Sequence, residues 1–127
     1  QDHARRLPTP GALLRRYLGG AARRRARVAA PDWANAALLL FHSVAYQRIQ
    51  GFDEAYHMYC EDVDICLRLQ LAGYSLAEAQ DACVVHVGQR ASHRQWRHLG
   101  WHLRSLWRLW HSPAYQQFQQ NHARRGG

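Results

Sequence analysis

Twelve consecutive residues near the middle of the chain place the strongest constraint on how it can fold. Residues 61–72 read Glu-Asp-Val-Asp-Ile-Cys-Leu-Arg-Leu-Gln-Leu-Ala: carboxylates in the opening positions, then an apolar run, then Gly73. Negative charge in the first turn of a helix is stabilised by about 0.3–1 kcal/mol, and glycine is the favoured stop. A helix over 61–72 is therefore expected. Asp64 and Arg68 are spaced i,i+4, so an ion pair along the helix is expected as well. Taken alone, the acidic opening is fully explained by helix electrostatics.

The charge pattern sharpens this picture. In 127 residues there are 17 Lys+Arg against 9 Asp+Glu, but the cations crowd the two ends. Between Gly51 and Asp81 stand Asp53, Glu54, Glu61, Asp62, Asp64, Glu78 and Asp81 against Arg68 alone. An acidic island in a basic chain suits a site that handles a cation or a hydroxyl better than one that grips phosphate. Cys60, Cys66 and Cys83 include no close pair of the kind a zinc ribbon or redox motif needs. They read as reduced, partly buried thiols in a cytosolic setting. No uninterrupted apolar window approaches the length of a membrane span, and residues 1–6 are no secretory signal.

The length suits one small domain with one core. Residues 1–32 are expected to form a basic loop containing Pro and Gly, with a short helix near 13–18 and the block Arg23-Arg24-Arg25-Ala26-Arg27. The core is assigned to 33–92. Within it the apolar run 36–41 predicts a buried strand, Ser43 a cap for a helix over 44–49, and 74–77 and 83–87 two further strands. An aromatic loop with Tyr56, His57 and Tyr59 leads into the central helix. Residues 93–112 predict an amphipathic basic helix with Trp96, Leu99, Leu103, Leu106, Trp107 and Trp110 on one stripe and Trp101 on the basic side. Pro113 is expected to end that helix, and 113–127 to be a tail.

The order of motifs carries more than any one of them. Gly51-Phe52-Asp53-Glu54 is followed by Met58-Tyr59-Cys60-Glu61-Asp62-Val63-Asp64-Ile65-Cys66-Leu67-Arg68, then Ala72-Gly73-Tyr74, then His86. This string resembles the acceptor-side, C-terminal half of family 2 type glycosyltransferases, particularly bacterial rhamnosyltransferase-like members, over residues 33–92. The resemblance implies part of a GT-A fold: α/β, a few short strands with flanking helices, and the amphipathic helix at the C-terminal end. It also implies an inverting transfer of sugar from a nucleotide-sugar to a hydroxyl of a glycan or lipid-linked glycan.

Asp62 is then the expected general base, since a sugar hydroxyl becomes a good nucleophile only as its proton leaves. Glu61 would orient the acceptor or the base. Asp53 and Glu54 would lie near the acceptor, with loop stabilisation as the other reading of Asp53. Trp33 and Tyr59 are either acceptor contacts or core aromatics, and Arg68 either touches substrate or bridges Asp64 and Glu61. The resemblance implies that His86 completes a Mn²⁺ or Mg²⁺ site together with an Asp-x-Asp that precedes this segment; as a histidine ending an apolar strand it reads equally as structural. That cation would neutralise the leaving nucleoside diphosphate.

Two departures stand out. Gln50-Gly51 replaces the double glycine usual in the family, and Ala36-Ala37 replaces its Gly-Ala. With no nucleotide-binding strand-helix-strand and no Asp-x-Asp before the acidic centre, the chain is expected to be a piece of a longer enzyme and inactive alone. It would bind no metal by itself and act in the cytoplasm, at the inner face of the membrane if the acceptor is lipid-linked. The competing class is a basic module without catalysis, binding nucleic acid or a membrane surface through the arginine block and the Arg/Trp helix. The acidic middle and the lack of a reader motif speak against specific nucleic acid binding.

Overall fold

The expected central helix forms, as α2 (Glu61–Leu71), with Glu61, Asp62 and Asp64 in its first turn. Gly73 takes a left-handed φ of 91°. The turn is closed by Tyr74 N–H donating to Leu69 O (3.0 Å) and Gly73 N–H to Gln70 O (3.1 Å). That pair of bonds is the glycine-dependent helix stop. Val63, Ile65, Cys66, Leu67 and Leu69 are all buried, so the middle of α2 meets protein on nearly every side.

A computed structural model describes residues 4–5, 7–11, 31–79, 82, 84–85 and 96–125. Around α2 it places β1 (Ala4–Arg5), β2 (Trp33–Ala34), α1 (Ser43–Arg48), α3 (Trp96–His111) and α4 (Pro113–Arg125). Helix α2 packs on α4 and β2, and α3 packs on α4. The described residues are mixed and mostly helical. Their single sheet pairs β1 with β2 antiparallel, Ala4 opposite Ala34 and Arg5 opposite Trp33, which is consistent with part of an α/β fold.

Three strand expectations need correction. Residues 36–41 contain no strand, and Leu40 is 99% exposed. The side chain of Asn35 accepts the Ala37 N–H (2.9 Å), a local turn that diverts the backbone directly after β2. An apolar run becomes a strand only where a neighbour completes its ladder, and the described pairing ends at Ala34. Residues 74–77 are likewise irregular, and Val84 and Val85 are exposed and unpaired in any sheet; Cys83, His86 and Val87 lie outside the described residues. The expected helix near 13–18 and the arginine block also lie outside them.

Helix α1 begins one residue earlier than expected. Ser43 is its first residue and His42 its cap, with no side-chain capping bond. Its end repeats the α2 solution with a different residue: Gln50 (φ 61°) donates to Gln47 O (3.0 Å) and Gly51 (φ 71°) to Tyr46 O (2.9 Å). Gln50 thus occupies a left-handed position that normally selects glycine. At Gly51 a Cβ would lie 2.8 Å from Tyr46 Oη, so there the side chain is excluded by contact as well as by φ.

Residues 113–125 are not a tail. Pro113 ends one helix and starts another: Ser112 Oγ accepts the Tyr115 N–H (3.2 Å), and Pro113 sits at the first helical position, where its missing N–H has no bond to lose. Tyr115 and Phe118 of α4 then enter the core. The stripe on α3 is also revised. Ser105, Leu106 and Leu109 face inward, whereas Trp96, Leu99, Leu103 and Trp107 face solvent. Trp101 is half-buried, edge-on to His57 (4.9 Å) and His98 (5.0 Å). Residues 7–9 of the expected basic loop are tied in: Trp110 Nε1–H donates to Pro8 O (2.9 Å) and Leu7 N–H to Asp32 Oδ2 (2.8 Å).

The two left-handed residues after α1 should respond in opposite ways. Gln50→Gly is expected to stabilise the fold by about 0.5–1 kcal/mol, the relief of a left-handed Cβ less the entropy of glycine. Gly51→Ala is expected to destabilise it by about 1–3 kcal/mol through strain and overpacking against Tyr46. Urea denaturation of both variants measures the two signs.

Candidate active site

The carboxylates of Glu61 and Asp62 stand at the start of α2, immediately after two strained residues. Tyr59 (φ 72°) and Cys60 (φ 67°) are consecutive non-glycine residues in the left-handed region. The chain turns sharply there, and α2 begins directly at the acidic pair. Such conformations cost of order 1–3 kcal/mol each and persist only where the surroundings hold them. Here Cys60 is buried, and Tyr59 OH is hydrogen-bonded to His98 Nδ1 (3.1 Å).

Asp62 is half-buried. Its Oδ1 accepts the Val63 N–H (2.9 Å), and its Oδ2 receives a longer contact from the Ala36 N–H (3.4 Å) in the turn after β2. Burial, and secondarily the neighbouring Glu61 charge, raise its pKa above the ordinary aspartate value, while those amides pull it down. The outcome is a carboxylate with enhanced proton affinity. Glu61 Oε2 is buried with no hydrogen-bond partner among the described residues. Burial, and secondarily the charges of Asp62 and Glu61, push the Cys60 thiol up to about 12, so it stays protonated. Cys60 and Cys66 are both free and buried.

The other expected site residues separate into two further places. Asp53, Glu54, Asp64 and Arg68 line an open cleft of about 770 Å³ together with Trp107 and Arg108. In it Arg68 Nε pairs with the buried Asp64 (2.7 Å) and Nη1 donates to Ile49 O (2.7 Å), joining α2 to the end of α1. Burial keeps the Asp64 pKa above normal although Arg68 lowers it. Asp53 accepts from Arg108 Nη2 (2.7 Å) and from the Ala55 N–H (3.0 Å). Burial raises its pKa, but the Arg108 hydrogen bond and the Ala55 amide leave it below the usual value. The Arg108 guanidinium also lies 5.2 Å from the centre of the Tyr56 ring. Glu54 is exposed at the rim.

Trp33, on β2, is buried in the core, and Tyr59 leans on α3, its ring 4.9 Å from His102. The contacts of Arg68 are with Asp64 and Ile49, not with Glu61. His86 lies outside the described residues, and among the described residues no group of three or more His, Cys, Asp or Glu side chains is gathered for a metal ion. Sequence reasoning missed Arg108 and His98. Both act across α3 on residues some forty to fifty-five positions away (|i−j| of 39 and 55), which no local pattern signals.

Comparison with known proteins gives matches of one kind. The chain is 36% identical over 78 residues to the rhamnosyltransferase WbbL of Escherichia coli (strain K12), which is 61% of this chain and 30% of that protein. It is 41% identical over 54 residues to an N-acetylglucosaminyl-diphospho-decaprenol L-rhamnosyltransferase of Mycobacterium tuberculosis, 42% of this chain and 18% of that protein. The chain thus spans less than a third of the length of these relatives, and the matches support a glycosyltransferase-like relationship. No family model and no solved structure matches.

The raised pKa of Asp62 has a sign that stability measurements can read. A carboxyl with a folded pKa above its unfolded value contributes stability that is complete below the unfolded pKa and lost as pH rises through the folded one. Ionised Asp62 therefore costs stability at neutral pH. Asp62→Asn should raise the melting temperature at neutral pH, and the gain should vanish as the pH falls through the carboxylate range. Thermal unfolding followed by circular dichroism across that range checks both parts.

Proposed function

We propose that this chain is the acceptor-side portion of an inverting, family 2 type glycosyltransferase of GT-A fold, with Asp62 as its general base. The observation that carries the reading is the environment of Asp62. It is a partly desolvated carboxylate of raised proton affinity beside Glu61, at a helix start that two left-handed residues precede. The similarity to rhamnosyltransferases supplies the reaction class.

In this reading an acceptor hydroxyl, on a glycan or a lipid-linked glycan, hydrogen-bonds to Asp62. As its oxygen attacks the anomeric carbon of the nucleotide-sugar, the proton passes to the Asp62 carboxylate and the bond to the nucleoside diphosphate breaks, with inversion. A base with a pKa nearer the working pH takes that proton more effectively than an ordinary aspartate. Glu61 orients the acceptor or the base, and its charge raises the proton affinity of its neighbour. Asp53, Glu54 and Arg68 belong to a separate cleft, and their part is to extend acceptor binding; Asp64 and Arg108 hold two of them in place. Trp33 serves as a core aromatic on β2, and Tyr59, held by His98 of α3, supports the turn before Glu61.

A divalent cation, Mn²⁺ or Mg²⁺, would neutralise the leaving diphosphate in the longer enzyme, with His86 as the candidate ligand from this segment. With His86 outside the described residues, no step is derived through that ion. We place the activity in the cytoplasm, where nucleotide-sugars are made.

In the full-length enzyme Asp62→Asn is expected to reduce transfer by about 10²–10⁴-fold while leaving donor binding intact. The acid limb of the kcat/KM profile of the unsubstituted enzyme should lie above the ordinary aspartate range. Retention of near-normal turnover in the asparagine variant would remove Asp62 from the role of base.

A further inference from the structure

Helix α3 shows solvent a face that a soluble surface helix does not normally show. Trp96 is 86% exposed, Leu99 45%, Leu103 58% and Trp107 65%. At 3.6 residues per turn these four fall within roughly 80° of the helix circumference and span roughly 16 Å along its axis. They form one continuous apolar strip with an indole at each end. The helix is anchored along one edge of the strip and behind it: Leu106, roughly 20° from Leu99 on the circumference, and Leu109 are buried, and Ser105 Oγ donates to Met58 O (2.7 Å). The strip is therefore presented by a helix held rigidly from behind.

Its charge setting narrows the occupant. Helix α3 has no Asp or Glu, and neither has α4. Exposed Arg104 and Arg108 run beside the strip on its polar flank; Arg108 is paired with Asp53, while for Arg104 no partner is found among the described residues. The whole chain carries a formal +8. Against a second copy this face would set arginine against arginine. Against an anionic lipid surface it is complementary, since tryptophans favour the headgroup boundary and arginines the phosphates just outside it. Among the described residues no helix is long and apolar enough to cross a membrane, so the helix would lie on the surface.

We infer that α3 is a peripheral docking helix that seats Trp96, Leu99, Leu103 and Trp107 in the boundary of an anionic membrane, with Arg104 on lipid phosphate. The docking is independent of proton transfer at Asp62. It would hold the chain at the surface where a lipid-linked acceptor is presented.

The test is flotation of the 127-residue chain with vesicles of phosphatidylcholine alone or mixed with phosphatidylglycerol. Binding to the mixed vesicles is expected, with brominated acyl chains quenching tryptophan fluorescence. The double variant Trp96→Ser/Trp107→Ser should weaken partitioning about tenfold and relieve the quenching, because binding scales with the apolar area inserted. Arg104→Glu should weaken it about fivefold or more. All three side chains are exposed, and unchanged far-ultraviolet circular dichroism confirms that the variants fold. Three results would overturn the inference: no binding to the mixed vesicles, binding unaltered by the double tryptophan variant, or equal binding to both vesicle types. Absent vesicle binding together with self-association in sedimentation equilibrium, lost in the tryptophan variant, would instead assign the strip to a second copy.

Discussion

The ion pair of Asp64 with Arg68 underlies the rest of the fold. Asp64 lies on the helix whose other central residues form the core, and it is almost completely buried. A carboxylate there is tolerable only with a close cation, and removing one member of such a pair costs about 3–5 kcal/mol where both are buried. Arg68 is about a quarter exposed, so the cost here falls below that range. The same guanidinium donates to the Ile49 carbonyl at the end of α1. One side chain thus neutralises the core carboxylate and fixes the neighbouring helix. The left-handed turn at Gln50-Gly51 follows directly, and from it the loop that carries Asp53.

A second set of bonds gathers distant parts of the chain. Asp32 accepts the Leu7 N–H through its side chain, and its own carbonyl accepts from Gln70 of α2 (2.7 Å). Pro8 O receives the Trp110 indole N–H and a longer contact from the Tyr115 hydroxyl (3.4 Å). The early strand, the middle helix and the last two helices therefore meet around one short segment. This arrangement stabilises α4, whose mostly Gln-rich sequence has little reason to be ordered except through Tyr115 and Phe118.

The chemistry is distributed over this frame in three places. Glu61 and Asp62 stand at the head of α2 next to the turn after β2, the Asp53 to Arg68 cleft lies between the α1 end and the α3–α4 junction, and Tyr59 is held by His98. Only the first place combines desolvation, like charge and an unpartnered carboxylate oxygen. These are the conditions that shift proton affinity, and they are the conditions a base requires. The Asp53 carboxylate, satisfied by Arg108 and an amide, is held ionised and suits binding rather than proton transfer.

What the sequence determined by itself is local. The helix over 61–72, its glycine stop and its i,i+4 ion pair depend on interactions within a few residues, so they could be read directly and they formed. The order from Gly51 to His86 pointed to the acidic pair by its resemblance to a known family, not by any local interaction. Tertiary structure decided whatever needed a distant partner. The run 36–41 has strand composition but no ladder neighbour, and an Asx turn took its place. Arg108 found Asp53 across 55 positions, and the apolar stripe of α3 was divided, with Leu106 turned inward and Trp107 outward. Periodicity shows that a helix has an apolar side. Only packing fixes how much of that side is covered, because the hydrophobic effect depends on area removed from water and names no partner. The second helix at Pro113 was missed: Ser112-Pro113 read as a stop, and its role as a helix start depends on where Tyr115 and Phe118 could be buried.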